Sequence, residues 1–202
     1  MSDKFDRFEN NIERVKNLNE LFKIVKSTHN RHTVKEADIL RASVVFLHSA
    51  LEDYVRSIII DRLPMVADKQ ILNSISLVRH EGRNEKFHLG ELMVHSDLTI
   101  NQLIQASVRE HMSKISFNNY TDLVSWLRKI NIDISSFQSD RIEKINNMIM
   151  RRHKIVHEVD TNPMSGKGHH CAQPIGLPTV NAWIETVENL LRIIDSKYNE
   201  IT

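Results

Sequence analysis

A chain of 202 residues suits one domain and is long enough to bury a sizeable core. Its 27 basic and 26 acidic residues leave a formal net charge of +1, which excludes a general electrostatic grip on nucleic acid and leaves room only for a local one. The single cysteine, Cys171, excludes an internal disulfide and a cysteine-based zinc finger, and no run of about 18 apolar residues marks a membrane span.

The start, MSDKFDRFENN, is polar and acidic, without the apolar core of a signal peptide, so the expected compartment is the cytoplasm. Phe5, Phe8, Ile12, Val15, Leu18, Phe22 and Val25 then recur every three or four residues, one face of an amphipathic helix within 1–30. THNRHT breaks the pattern. Thr33 and Glu36 have the spacing of a capping box, which predicts a helix start at that point. The next segment, ADILRASVVFLHSALEDYVRSIIIDRL, is apolar around most of its circumference and reads as the central buried helix, ended by Leu63-Pro64.

A short helix is predicted over 68–80, then a polar loop, HEGRNEKFHLG. Asp97 is the expected cap of a helix through Leu98, Leu103, Ile104, Val108 and Met112. Leu123, Val124, Trp126, Leu127 and Ile130 form another after NNYTD. Asp140 and Glu143 read as a second capping box, followed by Ile142, Ile145, Met148, Ile149 and Ile155 on one stripe. The stretch 160–178 is dense in Gly and Pro and is the clearest loop. Thr179 opens a last helix through Trp183, Ile184, Val187, Leu190, Leu191, Ile194 and Tyr198. Only five glycines and four prolines punctuate the chain. The expectation is an all-α bundle of about six or seven helices without a sheet, as one domain over 1–202.

The chemistry gathers in RRHKIVHE, residues 151–158. From Lys144 to His157 the chain carries Lys144, Arg151, Arg152 and Lys154 and no acid. Such a patch can hold a phosphate. It is also what a solvated helix end looks like, where cations suit the macrodipole. On a regular helix His153 and His157 share a face, whereas Arg152 and His157 lie about 140° apart and about 7.5 Å along the axis. One helix therefore presents Arg152 and His157 poorly to a single phosphate. Two copies about a two-fold axis would present them better.

Two reactions fit these residue types. Histidine moves protons near neutral pH, arginine stabilises charge building on phosphorus, and the RNA 2′-hydroxyl is a built-in nucleophile, so no metal is required. Alternatively His153 and His157 bind zinc with a third ligand from His169, His170 or Cys171. The zinc-protease glutamate is absent, since position 154 is lysine, and the neighbouring cations repel a dication. The expectation is that no metal and no other cofactor is used. Trp126 and Trp183 lie on apolar stripes and read as core rather than base-stacking residues. His48 reads as a core histidine. His80, His88, His95 and His111 show no metal spacing.

RHKIVH, at 152–157, resembles the signature of the HEPN superfamily: an arginine, a following polar residue, and a histidine four to six positions past the arginine. Arg152, His153 and His157 match it, and Arg151 also satisfies the spacing. LRASVVFLHSALEDYVRSII is similar to the first core helix of the RiboL-PSP-like branch. FNNYTDLVSWLRKINIDISSFQSDRIEKINNMIMRRHKIVHE is similar to that branch's run into its motif. The resemblance covers 34–191 and leaves 63–115 unplaced. It implies an all-helical, homodimeric, metal-independent endoribonuclease with the motifs meeting at the interface, often in toxin–antitoxin, antiphage or RNA-defence systems. RNA and an antitoxin or defence-system protein are the implied partners, with no membrane. His157 would transfer protons, Arg152 would bind the scissile phosphate, and His153 would orient or assist. Arg151, Lys154 and Lys144 would add phosphate contacts. Glu52 or Asp53 would supply the acidic residue that some members bring from an earlier helix; pairing with Arg56 or Arg41 is the structural alternative. Members silenced by a partner nucleotidyltransferase carry a tyrosine two residues past the histidine. This chain has Val159 there, a departure from that pattern. The alternative function is a non-catalytic module of the same fold that binds RNA, a nucleotide or a protein.

Overall fold

A computed structural model describes residues 3–26, 33–78, 89–162 and 172–200. Thr33 and Glu36 close the longest helix as the sequence predicts. The Thr33 amide donates to the Glu36 carboxylate at 2.6 Å, and the Glu36 amide donates to Thr33 Oγ1 at 3.3 Å. From this cap α2 runs over Val34–Val66, 33 residues, or about 50 Å at the helical rise. Leu40, Val44, Leu47, Leu51, Val55, Ile58, Ile59 and Leu63 along it are fully buried. Burial on that scale, at about 1.5–3 kcal/mol for each large aliphatic side chain, makes α2 the axis of the molecule.

Pro64 lies inside α2 instead of ending it. It sits in the last turn, where its missing N–H costs one intrahelical bond, and the Ala67 amide still donates to the Leu63 carbonyl at 3.0 Å.

Helix α1, Asp3–Val25, lies along α2 and buries Phe5, Phe8, Ile12, Val15 and Phe22. Asn19 takes the inward place that the stripe assigns to Leu18 and donates to Asn181 at 2.8 Å, while Val25 is exposed. Asp68 caps α3, which is only Lys69–Asn73. A 3-10 helix covers Leu89–His95. Helix α4, Ile100–Ser113, is capped by Thr99 rather than Asp97, because Gln102 stands three residues on and closes the box. Helix α5, Tyr120–Lys129, starts at Asn119, and Asn131 at φ 62° provides the left-handed exit that asparagine tolerates.

Helix α6, Ser139–His157, begins one position before the expected box. Gln138 is its cap residue, without a side-chain cap bond, so Asp140 falls in the first turn, where its charge suits the dipole. Helix α7, Leu177–Glu200, likewise starts ahead of Thr179. Among the described residues there are these seven α-helices and no sheet, only an isolated bridge between Thr161 and Ala172. One apolar cluster runs from Phe5 to Tyr198 around α2, with α1, α4, α5, α6 and α7 against it. No helix described is long and apolar enough to cross a membrane. The arrangement fixes α6 between α2 and α7, with its last two turns at the surface.

Candidate active site

Ile145, Met148 and Ile149 turn one face of α6 into the core. The opposite face presents Met150, His153 and His157 to solvent. The His153 and His157 rings, one turn apart, have centroids 4.7 Å apart and tilt by 45°. Lys144 is exposed on the same helix and Lys154 is half-buried.

The adjacent arginines separate. Arg151 Nη2 donates to Asp160 Oδ2 at 2.8 Å and to the carbonyls of Gln173 at 2.7 Å and Pro174 at 3.2 Å. Arg41 on α2 donates through Nε to the same Asp160 oxygen at 2.6 Å, and through Nη2 to the Gln173 carbonyl at 2.9 Å. Asp160 is 2% exposed and sits between the two guanidiniums. Arg151 is thus committed to the turn that follows α6, where Val159 and Asp160 both adopt φ 53°. Asp160 sits in the irregular stretch after the helix, and no periodicity signals its role.

Arg152 makes no ion pair among the described residues, and its Nε is buried without a hydrogen-bond partner. It lies toward α2, close enough for its charge to act on His48. His48 is 1% exposed. Its Nε2 donates to the Phe117 carbonyl at 3.4 Å, and its Nδ1 has no partner. Burial depresses the His48 pKa; Glu52 and the Phe117 carbonyl oppose this, while Arg152 and Arg56 add to it.

Glu52 Oε1 accepts from Ser116 Oγ and from the Phe117 amide, each at 3.0 Å. Its Oε2 lies 3.8 Å from His48 Nδ1 and 3.9 Å from Arg56 Nη2. Arg56 donates to the carbonyls of Met112 and Ile115 at 3.0 and 2.8 Å. Glu52 and Arg56 therefore tie α2 to the 112–117 stretch. Asp53 turns to α1 and pairs with Arg7 at 2.9 Å.

The structure thus brings His153 to His157 and buries the Nε of Arg152, while His157 is exposed. Within one chain it does not bring Arg152 to His157. Trp183 is buried in the core. Trp126 is half-buried between the His111 ring, 5.8 Å away, and Lys129 Nζ, 3.7 Å from its centroid. His80, His88, His169, His170 and Cys171 lie outside the described residues; among the described ones no three metal-ligating side chains gather.

An all-helical bundle with an arginine–histidine motif on a late surface helix defines a class, and comparison with family models gives the same class. The RiboL-PSP-HEPN model matches residues 9–200, and the chain belongs to that family. The match includes most of α1 and the 63–115 stretch that the motif resemblance leaves unplaced. Searches of curated proteins and of solved structures gave no match. HEPN domains typically bind RNA, and the family is associated with ribonuclease activity.

Proposed function

We propose that this protein is a metal-independent endoribonuclease acting as a homodimer, with a composite site in which Arg152 and the His153–His157 pair come from facing copies of α6. The observation that carries the reading is the exposed histidine pair, 4.7 Å between rings, beside an arginine that no ion pair holds. His157 accepts the proton of the RNA 2′-hydroxyl. The 2′-oxygen attacks phosphorus, the bond to the 5′-oxygen breaks, and the leaving oxygen takes a proton from a second imidazole. Arg152 holds the non-bridging oxygens as their charge grows. His153 orients or assists, and Lys154 and Lys144 steer the backbone in. The products are a 2′,3′-cyclic phosphate and a 5′-hydroxyl. A toxin–antitoxin, antiphage or other RNA-defence role in the cytoplasm, with an antitoxin or system partner, fits this chemistry.

The test is end-group analysis of RNA incubated with the protein in EDTA. Wild type is expected to leave 2′,3′-cyclic phosphate ends, and His157→Ala to slow the reaction by about 10²–10⁴-fold. Equal rates for wild type and His157→Ala overturn the reading. A second reading, a module that holds RNA or a nucleotide without cutting it, is favoured by the divergence of Arg152 and His157 within one chain. Retention of RNA with no cyclic phosphate ends supports it.

A further inference from the structure

Arg152, His153 and His157 all lie between Arg151 and Asp160, and the 2.8 Å ion pair joins those two ends, so the motif segment is closed on itself. Asp160 holds this closure with its main chain as well as its carboxylate. Its amide donates to the Lys154 carbonyl at 2.9 Å, and the Glu158 amide donates to the same oxygen at 2.9 Å. The Asp160 carbonyl accepts from the Gln173 amide at 2.7 Å, and its carboxylate accepts from Arg41 of α2 at 2.6 Å. Thr161 adds two bonds to the Glu158 carbonyl, from its amide at 3.2 Å and from Oγ1 at 2.9 Å. His157 is the last residue of α6, and helix ends ordinarily fray because their final carbonyls lack intrahelical donors. From Val156 to Val159 every residue is exposed, so no side-chain packing fixes this end, and Asp160 is the next buried residue. The turn is also held in an unfavourable conformation, with Val159 and Asp160 consecutive at φ 53°. Such backbone persists only where surrounding contacts over-determine it.

We propose that Asp160 is a positioning residue for His157: it ties the turn after α6 to Arg151, to Arg41 and to the Gln173 backbone, keeps the last helical turn wound, and so holds the His157 imidazole beside that of His153. The inference rests on the ribonuclease reading for its purpose but not for its geometry. A wound last turn is what sets the two rings 4.7 Å apart, because residues four apart share a helix face only while the helix continues through both. Unwinding after Ile155 would carry His157 away from His153 and leave the core-facing residues Ile145, Met148 and Ile149 in place. The clamp therefore acts on the reactive end of the helix and not on the part that holds the bundle together.

Amide hydrogen exchange and ring-proton NOEs on the full chain test the geometry. In wild type the Glu158 and Asp160 amides are expected to be protected, and the His153 and His157 rings to give an NOE. Amides there that exchange as in an unstructured chain overturn the proposal with no variant needed. Asp160→Asn keeps the size and the tolerance of a left-handed backbone but removes the charge between the two arginines. It is expected to speed exchange of both amides by about tenfold and to weaken the NOE, while α2 amides stay protected. Exchange and NOE unchanged in folded Asp160→Asn overturn the proposal. Where Asp160→Asn does not fold, Arg41→Met, which cuts only the tether to α2, is judged by the same two outcomes. For cleavage, Asp160→Asn is expected to lose about 10–100-fold in kcat with KM within about threefold, since the cations that draw RNA in are untouched. A loss that follows the unfolded fraction, or that falls on KM alone, overturns the positioning role. Wild type that leaves RNA uncut removes the ribonuclease reading, and exchange and NOE still decide whether Asp160 holds His157.

Discussion

Arg151 and Asp160 are joined by a 2.8 Å ion pair across the turn that ends α6, while the next residue, Arg152, pairs with no carboxylate among the described residues. The two arginines satisfy the same motif spacing, and the fold tells them apart. Arg151 shares a 2%-exposed carboxylate with Arg41 and holds the 173–174 backbone, so its role is to close the turn. Asp160→Ala removes the anion between two buried cations. The expected cost is about 3–5 kcal/mol of unfolding free energy, and Arg151→Ala should also destabilise. Arg152→Ala is expected to leave stability within about 1 kcal/mol of wild type. Urea denaturation of the three variants checks this ordering.

Val159 carries strain at the same turn. A β-branched residue at φ 53° pushes Cβ toward the backbone, at a cost of about 1–2 kcal/mol. At 83% exposed its side chain returns no packing. Val159→Gly is therefore expected to raise stability by about 0.5–1 kcal/mol, read as a higher melting temperature. A lower melting temperature would mean that the turn needs the side chain.

Glu52 is one of the acidic residues that the family pattern suggests for the site, yet its carboxylate is spent on Ser116 and the Phe117 amide. Glu52→Ala leaves that amide without its acceptor and should cost about 1–3 kcal/mol. If the role is structural, any loss of RNA cleavage should track the unfolded fraction and recover in conditions that stabilise the fold. Loss of cleavage in fully folded Glu52→Gln would instead give the carboxylate a direct part.

The elements that the sequence reveals are those set by periodicity and by one strong cap. The stripes of α1, α2, α6 and α7 and the Thr33–Glu36 box appear in the structure because apolar spacing and reciprocal capping are local. Helix starts with competing caps shift, as at Thr99 and Gln138, since neighbouring polar residues offer nearly equal cap energies. His153–His157 proximity follows from the i, i+4 spacing alone. The Asp160 clamp depends on which residue of α2 meets the turn after α6, 119 positions apart for Arg41 and Asp160, and no local pattern encodes that.

The folded state should weaken in mild acid. His48 and His111 both hold their protons less tightly than the ordinary 6.5, His48 through burial first, His111 through burial and then Lys129 and Lys114. Well above pH 6.5 both are neutral, folded or unfolded, and their contribution to stability is complete. As pH falls below 6.5 the unfolded chain takes up protons first, so stability declines until the folded-state values are passed. Melting temperature against pH is expected to fall on the acid side of 6.5 and to flatten in His48→Gln. A curve level from pH 7 to pH 5 would mean that these imidazoles titrate as if exposed.

The proposed homodimer provides the last prediction, because within one chain the Nε of Arg152 is buried and His157 faces solvent. Met150 is 56% exposed on the face that carries His153 and His157, and Val156, next to His157 in the chain, is 46% exposed. Apolar surface next to a charged motif is what a self-complementary interface would cover. Met150→Glu places like charges face to face about a two-fold axis while touching nothing in the core. It is expected to shift the protein toward monomer by light scattering, leave its melting profile near that of a monomeric wild type, and reduce RNA cleavage at least tenfold at concentrations where wild type is dimeric. Restored cleavage on mixing Arg152→Ala with His157→Ala would show that the two groups act from different copies, since only the mixed dimer holds one intact pair. Cleavage by a monomer, undiminished, would return the site to a single chain.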